Sequence, residues 1–167
     1  MIDKEIKFKN VYQNSKDKVY RLCLGFTGNK MDADDLFQEV FIKVWNNLES
    51  FRNESNINTW IYRIASNTAI LFVSNRTKLT TNNHSLELEN VKLTNENTQM
   101  YSDKKVMQLY EAISTLKEKD RIIISLLLEK YSYAEIAEII GLEISNVGVR
   151  INRIKKALTK KMNSYGR

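Results

Sequence analysis

Near its C-terminus the chain carries Asn146, Gly148, Val149, Asn152, Arg153 and Lys156 within eleven residues. These side-chain types read a nucleic-acid duplex by hydrogen bonding and contact. A guanidinium can pair with guanine O6 and N7, an amide with adenine, a valine can touch a thymine methyl, and a glycine lets backbone come close. Lys155, Lys156, Lys160 and Lys161 suit phosphates. Candidates for covalent or metal chemistry are few. His84, the only histidine, sits in a polar stretch, no nucleophile has a paired base, and there is no Gly-rich phosphate loop. Asp32, Asp34 and Asp35 lack the glycine and distal glutamate of a calcium loop. Cys23, between Leu22 and Leu24, reads as a buried small hydrophobe. We therefore expect no enzyme activity, no cofactor, no metal and no small-molecule substrate.

The basic block needs a helix with two faces. At about 100° per residue, Val147, Ile151, Ile154 and Leu158 form one apolar stripe, and the hydrogen-bonding residues lie roughly opposite. Upstream, Ser132-Tyr-Ala-Glu135 matches a capping box, a short apolar helix follows, and Gly141 is placed to end it. Two helices joined by a tight Gly-containing turn are the helix-turn-helix pattern, with the second helix in the major groove. Ser145 is the expected cap of that helix.

The whole chain fits this reading. It has 167 residues, no proline, five glycines and 43% hydrophobic residues, which leans towards an all-α protein with a real core. Its net charge of +6 suits a polyanionic partner. The excess is concentrated in residues 104–167, where 13 basic residues face seven acidic ones, and no acid occurs from Ile144 onward. Leu36, Phe37, Val40, Phe41, Val44, Trp45 and Leu48 form a broad helical stripe with Asp32 as its expected N-cap. A second helix is expected from about Ile57, one or two shorter helices before Gly25 or Gly28, and a polar linker from Thr77 to Asp103. The expected fold is two small helical domains, 1–76 and 104–167, joined by linker 77–103. The single cysteine and the lack of an apolar run of membrane-spanning length point to the cytoplasm.

The strings Asp32-Ala-Asp-Asp-Leu-Phe-Gln-Glu-Val-Phe-Ile-Lys-Val-Trp45, Leu48-Glu-Ser-Phe-Arg52 and Asn58-Thr-Trp-Ile-Tyr-Arg-Ile-Ala-Ser-Asn67 closely resemble region 2 of bacterial RNA polymerase sigma factors of the extracytoplasmic-function (ECF) class. Tyr131-Ser-Tyr-Ala-Glu-Ile-Ala137, with the basic helix after it, resembles their region 4. The resemblance implies that Asp34, Asp35, Gln38, Glu39 and Lys43 grip the β′ clamp helices of core RNA polymerase. It implies that Phe51, Arg52, Asn53, Glu54, Ser55, Asn56 and Asn58 form the loop that takes up a base flipped from the minus-10 element, with Arg63 and Asn67 facing the non-template strand. Asn146, Gly148, Val149, Asn152, Arg153 and Lys156 would read the minus-35 duplex. Promoter DNA, core polymerase and an anti-sigma factor, commonly held at the inner membrane, are the partners it implies. The chain departs from the family at Leu71, where many members have Asp, at Gly148 and Val149, and at Leu116-Lys117 in place of Leu-Pro.

Two other classes compete. A stand-alone helix-turn-helix regulator would explain the last 64 residues but not the match over Asp34 to Asn67. An adaptor would bind polymerase or a sigma factor without opening a promoter.

Overall fold

The computed structural model describes residues 2–81 and 103–166. Those residues form α1 (Ile2–Thr27), α2 (Lys30–Asn47), a 3-10 turn (Leu48–Ser50), α3 (Ile57–Thr81), α4 (Lys104–Ser114), α5 (Glu118–Leu128), α6 (Tyr133–Ile140) and α7 (Ile144–Tyr165), with no strand among them. The fold is all-α, as the composition leads one to expect. The stretch before Gly28 is one helix of 26 residues instead of two short ones. Without a proline, and with Gly25 in αR-compatible packing inside the helix, nothing interrupts it.

The α1–α2 seam is largely aromatic. Phe8, Tyr12, Phe37 and Phe41 pack edge to face, with Tyr12 and Phe41 ring centroids 4.8 Å apart, and Phe8 reaches Trp45 at 5.2 Å. Beneath them Leu36, Val40 and Val44 have no exposed surface, and each such burial contributes about 1.5–3 kcal/mol. Cys23 lies in the same core. Burial, with Asp34 adding to it, pushes its thiol far up, so it stays protonated and a poor nucleophile.

Helix α2 begins a turn earlier than expected. Its N-cap is Asn29, whose Oδ1 accepts the Asp32 backbone N–H at 2.9 Å, while the Asp32 carboxylate is engaged by Arg76 of α3 and by Asn29 Nδ2. Helix α3 runs five residues into the stretch expected to be linker, and residues 82–102, His84 included, lie outside the described residues. Lys117, which the resemblance would usually make a proline, sits at φ −61°, so the start of α5 takes a proline-like backbone without one.

The two halves pack against each other through α1. Gly25 is buried, and a Cβ there would lie 2.7 Å from Ser125 Oγ of α5. Arg21 makes a bidentate pair with Glu129, at 2.5 and 2.9 Å, and Arg121 donates to the Phe26 carbonyl at 2.9 Å. Tyr62 of α3, which burial keeps protonated, meets Tyr131 edge-on at 5.1 Å.

At Gly28 the backbone is left-handed, φ 79°, and an added Cβ would lie 2.7 Å from Ser114 Cβ of α4. Gly28→Ala is therefore expected to destabilise the protein by about 1–2 kcal/mol, the cost of the left-handed conformation for an L-residue. A lower urea midpoint at unchanged m-value is the signature; an unchanged midpoint would mean that this turn and α4 relax freely.

Candidate nucleic-acid interface

Helices α6 and α7 form the helix-turn-helix. The Ser132 hydroxyl accepts the Glu135 N–H at 3.2 Å and the Glu135 carboxylate accepts the Ser132 N–H at 2.7 Å, so the capping box is complete. These bonds hold the Glu135 carboxyl below its usual range, so the cap's contribution is full above the ordinary glutamate pKa and fades as pH falls through the lowered one. Gly141 ends α6 at φ 68°, with its own N–H and that of Leu142 both donating to the Ala137 carbonyl. Helix α7 starts one residue ahead of the expected cap: Glu143 is the N-cap, without a side-chain bond, and Ser145 lies inside the first turn.

The two faces of α7 are as the periodicity requires. Val147, Ile151, Ile154 and Leu158 are buried, and Asn146, Val149, Asn152, Arg153 and Lys156 are exposed, Val149 to 68%. Gly148 is half-buried beside the Tyr133 ring of α6. One feature had no signal in the sequence. Asp120, 4% exposed in the first turn of α5, accepts from Arg150 at 2.7 Å and from Arg153 at 3.1 Å. It takes negative charge at a helix N-terminus and sets one basic residue of the outward face. Arg153 still presents 61% of its side chain.

On α2, Asp35 is exposed and Gln38, Glu39 and Lys43 are half-exposed, with Glu39 and Lys43 paired at 3.3 Å. Asp34 accepts the Tyr20 hydroxyl at 2.8 Å, which draws that carboxylate towards α1. Sequence reasoning overlooked Ile42, 52% exposed on the same helix, which with Met31 is a large apolar residue off the buried stripe.

Between the 3-10 turn and α3, the loop holds Arg52, Asn53, Glu54 and Asn56 exposed and Ser55 half-buried, with Asn53 at φ 57°, and Asn58 is half-buried in the first turn of α3. Asn56 Oδ1 accepts the Asn58 N–H at 2.9 Å and caps α3. Phe51 packs on Trp60 at 5.1 Å. Asn67 is exposed, whereas Arg63 donates to the Glu138 carbonyl of α6 at 3.1 Å and approaches its carboxylate at 3.5 Å. Among the described residues no group of acidic, histidine and cysteine side chains could hold a metal ion, and no helix is long and apolar enough to cross a membrane.

A basic helix-turn-helix behind a separate bundle with a polar, acid-bearing face is the layout of a sigma factor. Residues 11–78 match the family model described as Sigma-70 region 2, and residues 106–158 that described as Sigma-70, region 4. The chain is 31% identical to the ECF RNA polymerase sigma factor SigW of Bacillus subtilis (strain 168), over 97% of each protein. It is 34% identical to the ECF RNA polymerase sigma-E factor of Escherichia coli (strain K12), over 78% of this chain and 74% of that one. Its fold is that of the sigma factor RpoE solved in complex with the anti-sigma factor NepR from Bartonella quintana, at TM-score 0.75 and 21% identity over 94% and 97% of the two chains. CnrH in complex with the cytosolic domain of CnrY aligns at TM-score 0.65 and 19% identity, over 96% and 90%. The chain belongs to the ECF class of RNA polymerase sigma factors. It is a transcription initiation factor, of a family that is not catalytic, and its partners are core RNA polymerase and promoter DNA.

Asp120→Asn removes the charge that both arginines share. Loss of about 2 kcal/mol of stability is expected, the worth of hydrogen bonds to a charged group, with weaker binding of promoter duplex. A variant as stable as the parent in urea would show that the arginines hold α7 in place without Asp120.

Proposed function

We propose that α2 docks on the β′ clamp helices of core polymerase through Asp34, Asp35, Gln38, Glu39 and Lys43. The loop from Phe51 to Asn58, with Arg63 and Asn67, takes the melted minus-10 strand, and Asn146, Gly148, Val149, Asn152, Arg153 and Lys156 read the minus-35 duplex. The division into 1–76, linker 77–103 and 104–167 follows that partition. The observation that carries this reading is the two-faced α7, with a fully buried apolar stripe and an acid-free, amide-bearing and basic outer face. No covalent step is involved. Such a factor works where polymerase is, in the cytoplasm, and the likeness to a sigma factor solved with the anti-sigma factor NepR supports a partner of that kind, one held at the inner membrane.

The packed arrangement is a resting state. The two promoter elements, some 25 base pairs apart by their names, are roughly 85 Å apart along a duplex at 3.4 Å per step. Here Arg63 touches α6, the neighbour of α7. Both elements can be engaged together only after α6 leaves α3, and the chain between Thr81 and Asp103 can reach roughly 75 Å when extended.

Two experiments test this. With Gln38→Ala and Glu39→Ala combined, runoff transcription on pooled genomic fragments should lose the factor-dependent starts through at least tenfold weaker core binding, at unchanged thermal stability; wild-type affinity for core would overturn the docking assignment. Glu129→Arg opposes Arg21 across the interface. It should raise the radius of gyration of the free protein in X-ray scattering and tighten duplex binding, and an unchanged radius would mean that the halves do not part there.

A further inference from the structure

The turn between α5 and α6 faces α1 and the start of α3 across a cleft of about 380 Å³, within the roughly 300–1,000 Å³ typical of ligand sites. Both halves line it, so it exists only while they are packed. Its cations are Lys18 of α1 and Lys130 of the turn, and neither has an ion pair among the described residues. Its two carboxylates are both engaged: Glu129 by Arg21 at 2.5 and 2.9 Å, and Glu135 by the Ser132 N–H at 2.7 Å. The charge left over in the wall is positive. Lys130 is also costly to keep there. Its backbone is left-handed, φ 66°, with its N–H donating to the Leu127 carbonyl and that of Tyr131 to the Leu126 carbonyl. Glycine ordinarily ends a helix in this way, because an L-residue is strained in it. The fold gains nothing from lysine at this position, and its ammonium is left unused.

The rest of the wall suits hydroxyl groups attached to an anion. Asn56 caps α3, and Asn58 and Thr59 stand in its first turn, where backbone N–H groups lack intrahelical acceptors and the dipole is positive. Thr59 is 6% exposed and lines the cleft, yet its hydroxyl has no hydrogen-bond partner among the described residues, a state that buried polar groups rarely keep. The one aromatic ring in the wall, Tyr131, is taken: the Lys18 ammonium lies 5.9 Å from its centroid, and Tyr62 meets it edge-on. No flat apolar surface is left for a nucleobase, whereas amides, a hydroxyl and carboxylates supply the donors and acceptors that a sugar ring needs. Promoter DNA is a poor fit for a second reason, since the cleft is present only in the form that cannot span both promoter elements.

We propose that this cleft binds a small phosphorylated sugar, its phosphate held by Lys18 and Lys130 at the start of α3 and its hydroxyls by Thr59 and the amides of Asn56 and Asn58. A ligand of the packed form alone draws the protein into that form: at a concentration a hundred times Kd, the open population falls about a hundredfold. This consequence rests on the packed arrangement being the resting state of an initiation factor; the site itself does not.

The test is calorimetric titration of the free full-length protein with glucose 6-phosphate and ribose 5-phosphate, beside glucose, inorganic phosphate, AMP and a single-stranded DNA oligonucleotide. At least one of the sugar phosphates should bind more tightly than every other probe. Lys18→Gln and Lys130→Gly should each weaken that binding about tenfold, the share of one hydrogen bond to a charged group. Lys130→Gly should not lower the melting temperature, because glycine relieves the left-handed turn. Affinity for core polymerase, measured without ligand and then at saturation, should fall with the ligand in the wild type and stay constant in Lys130→Gly. Sugar phosphates that bind no tighter than inorganic phosphate, or that both variants bind as the wild type does, would overturn the site, as would an oligonucleotide being the one probe that needs the two lysines. Binding that depends on both lysines while affinity for core is unchanged would keep the site and overturn the resting-state reading. Absence of core binding without ligand would overturn the initiation reading and leave the site to be judged on the titrations.

Discussion

Everything in the packed state depends on how closely α5 can lie on α1. Gly25 removes the side chain that would otherwise hold Ser125 away, and Gly28 does the same for Ser114 of α4. Across this close contact lie the Arg21–Glu129 pair and the bond from Arg121 to the Phe26 carbonyl. Glu129 is largely buried, with 9% of its side chain exposed. Desolvating such a pair offsets much of its Coulomb gain, so apolar contact supplies the main attraction and the ions fix the register of one half on the other. Breaking such a pair costs less than its Coulomb energy alone, because charges exposed to water on separation recover their hydration.

The same economy governs the two polar faces. Each half buries its apolar stripe against its own neighbours, Leu36, Val40 and Val44 on α2, and Val147, Ile151, Ile154 and Leu158 on α7, which leaves the opposite faces free to specialise in charge. On α7 that face is wholly without acids, yet the one acid that bonds to it, Asp120, comes from α5 and is buried. A carboxylate placed there steadies Arg150 and Arg153 without putting negative charge on the outer face of α7. Glu138 does the opposite: it is exposed, and in the packed state it covers Arg63. Separating the halves would therefore uncover a cation on one and a carboxylate on the other.

What could be read in the chain followed from period and from local chemistry. The faces of α7, the Ser132–Glu135 box and the left-handed Gly141 are each decided by residues within a turn or two, and the structure has all three. Choices between equally suitable caps were less legible. Asn29 and Asp32 are both good N-cap types three residues apart, and the reversal at Gly28 gives the role to the first, freeing the Asp32 side chain for Arg76. Ser145 yields to Glu143 because the α7 start is set by backbone geometry following Gly141, not by a side-chain bond. Contacts distant in sequence had no signal at all: Arg21 with Glu129 is separated by 108 positions, and Lys7 with Phe51 by a helix hairpin. Only the close packing of α1 against both halves brings them together.

Gly148 separates what the fold requires from what the surface requires. At Gly25 and Gly28 an added Cβ would collide with neighbouring side chains, so packing demands glycine there. At Gly148 a Cβ would meet the Tyr133 ring at 3.7 Å, ordinary van der Waals contact, and the backbone is helical. Alanine would fit, and a glycine in a helix interior costs about 1 kcal/mol relative to it. The fold therefore gives no reason for Gly148. Its neighbours Asn146, Val149 and Asn152 are all exposed on the face opposite the core. The absence of a side chain there lowers the helix surface by one residue, between an amide and an isopropyl group, near the N-terminal end of α7. Some helix stability is given up there, and glycine is the residue that lets a partner approach the backbone closely.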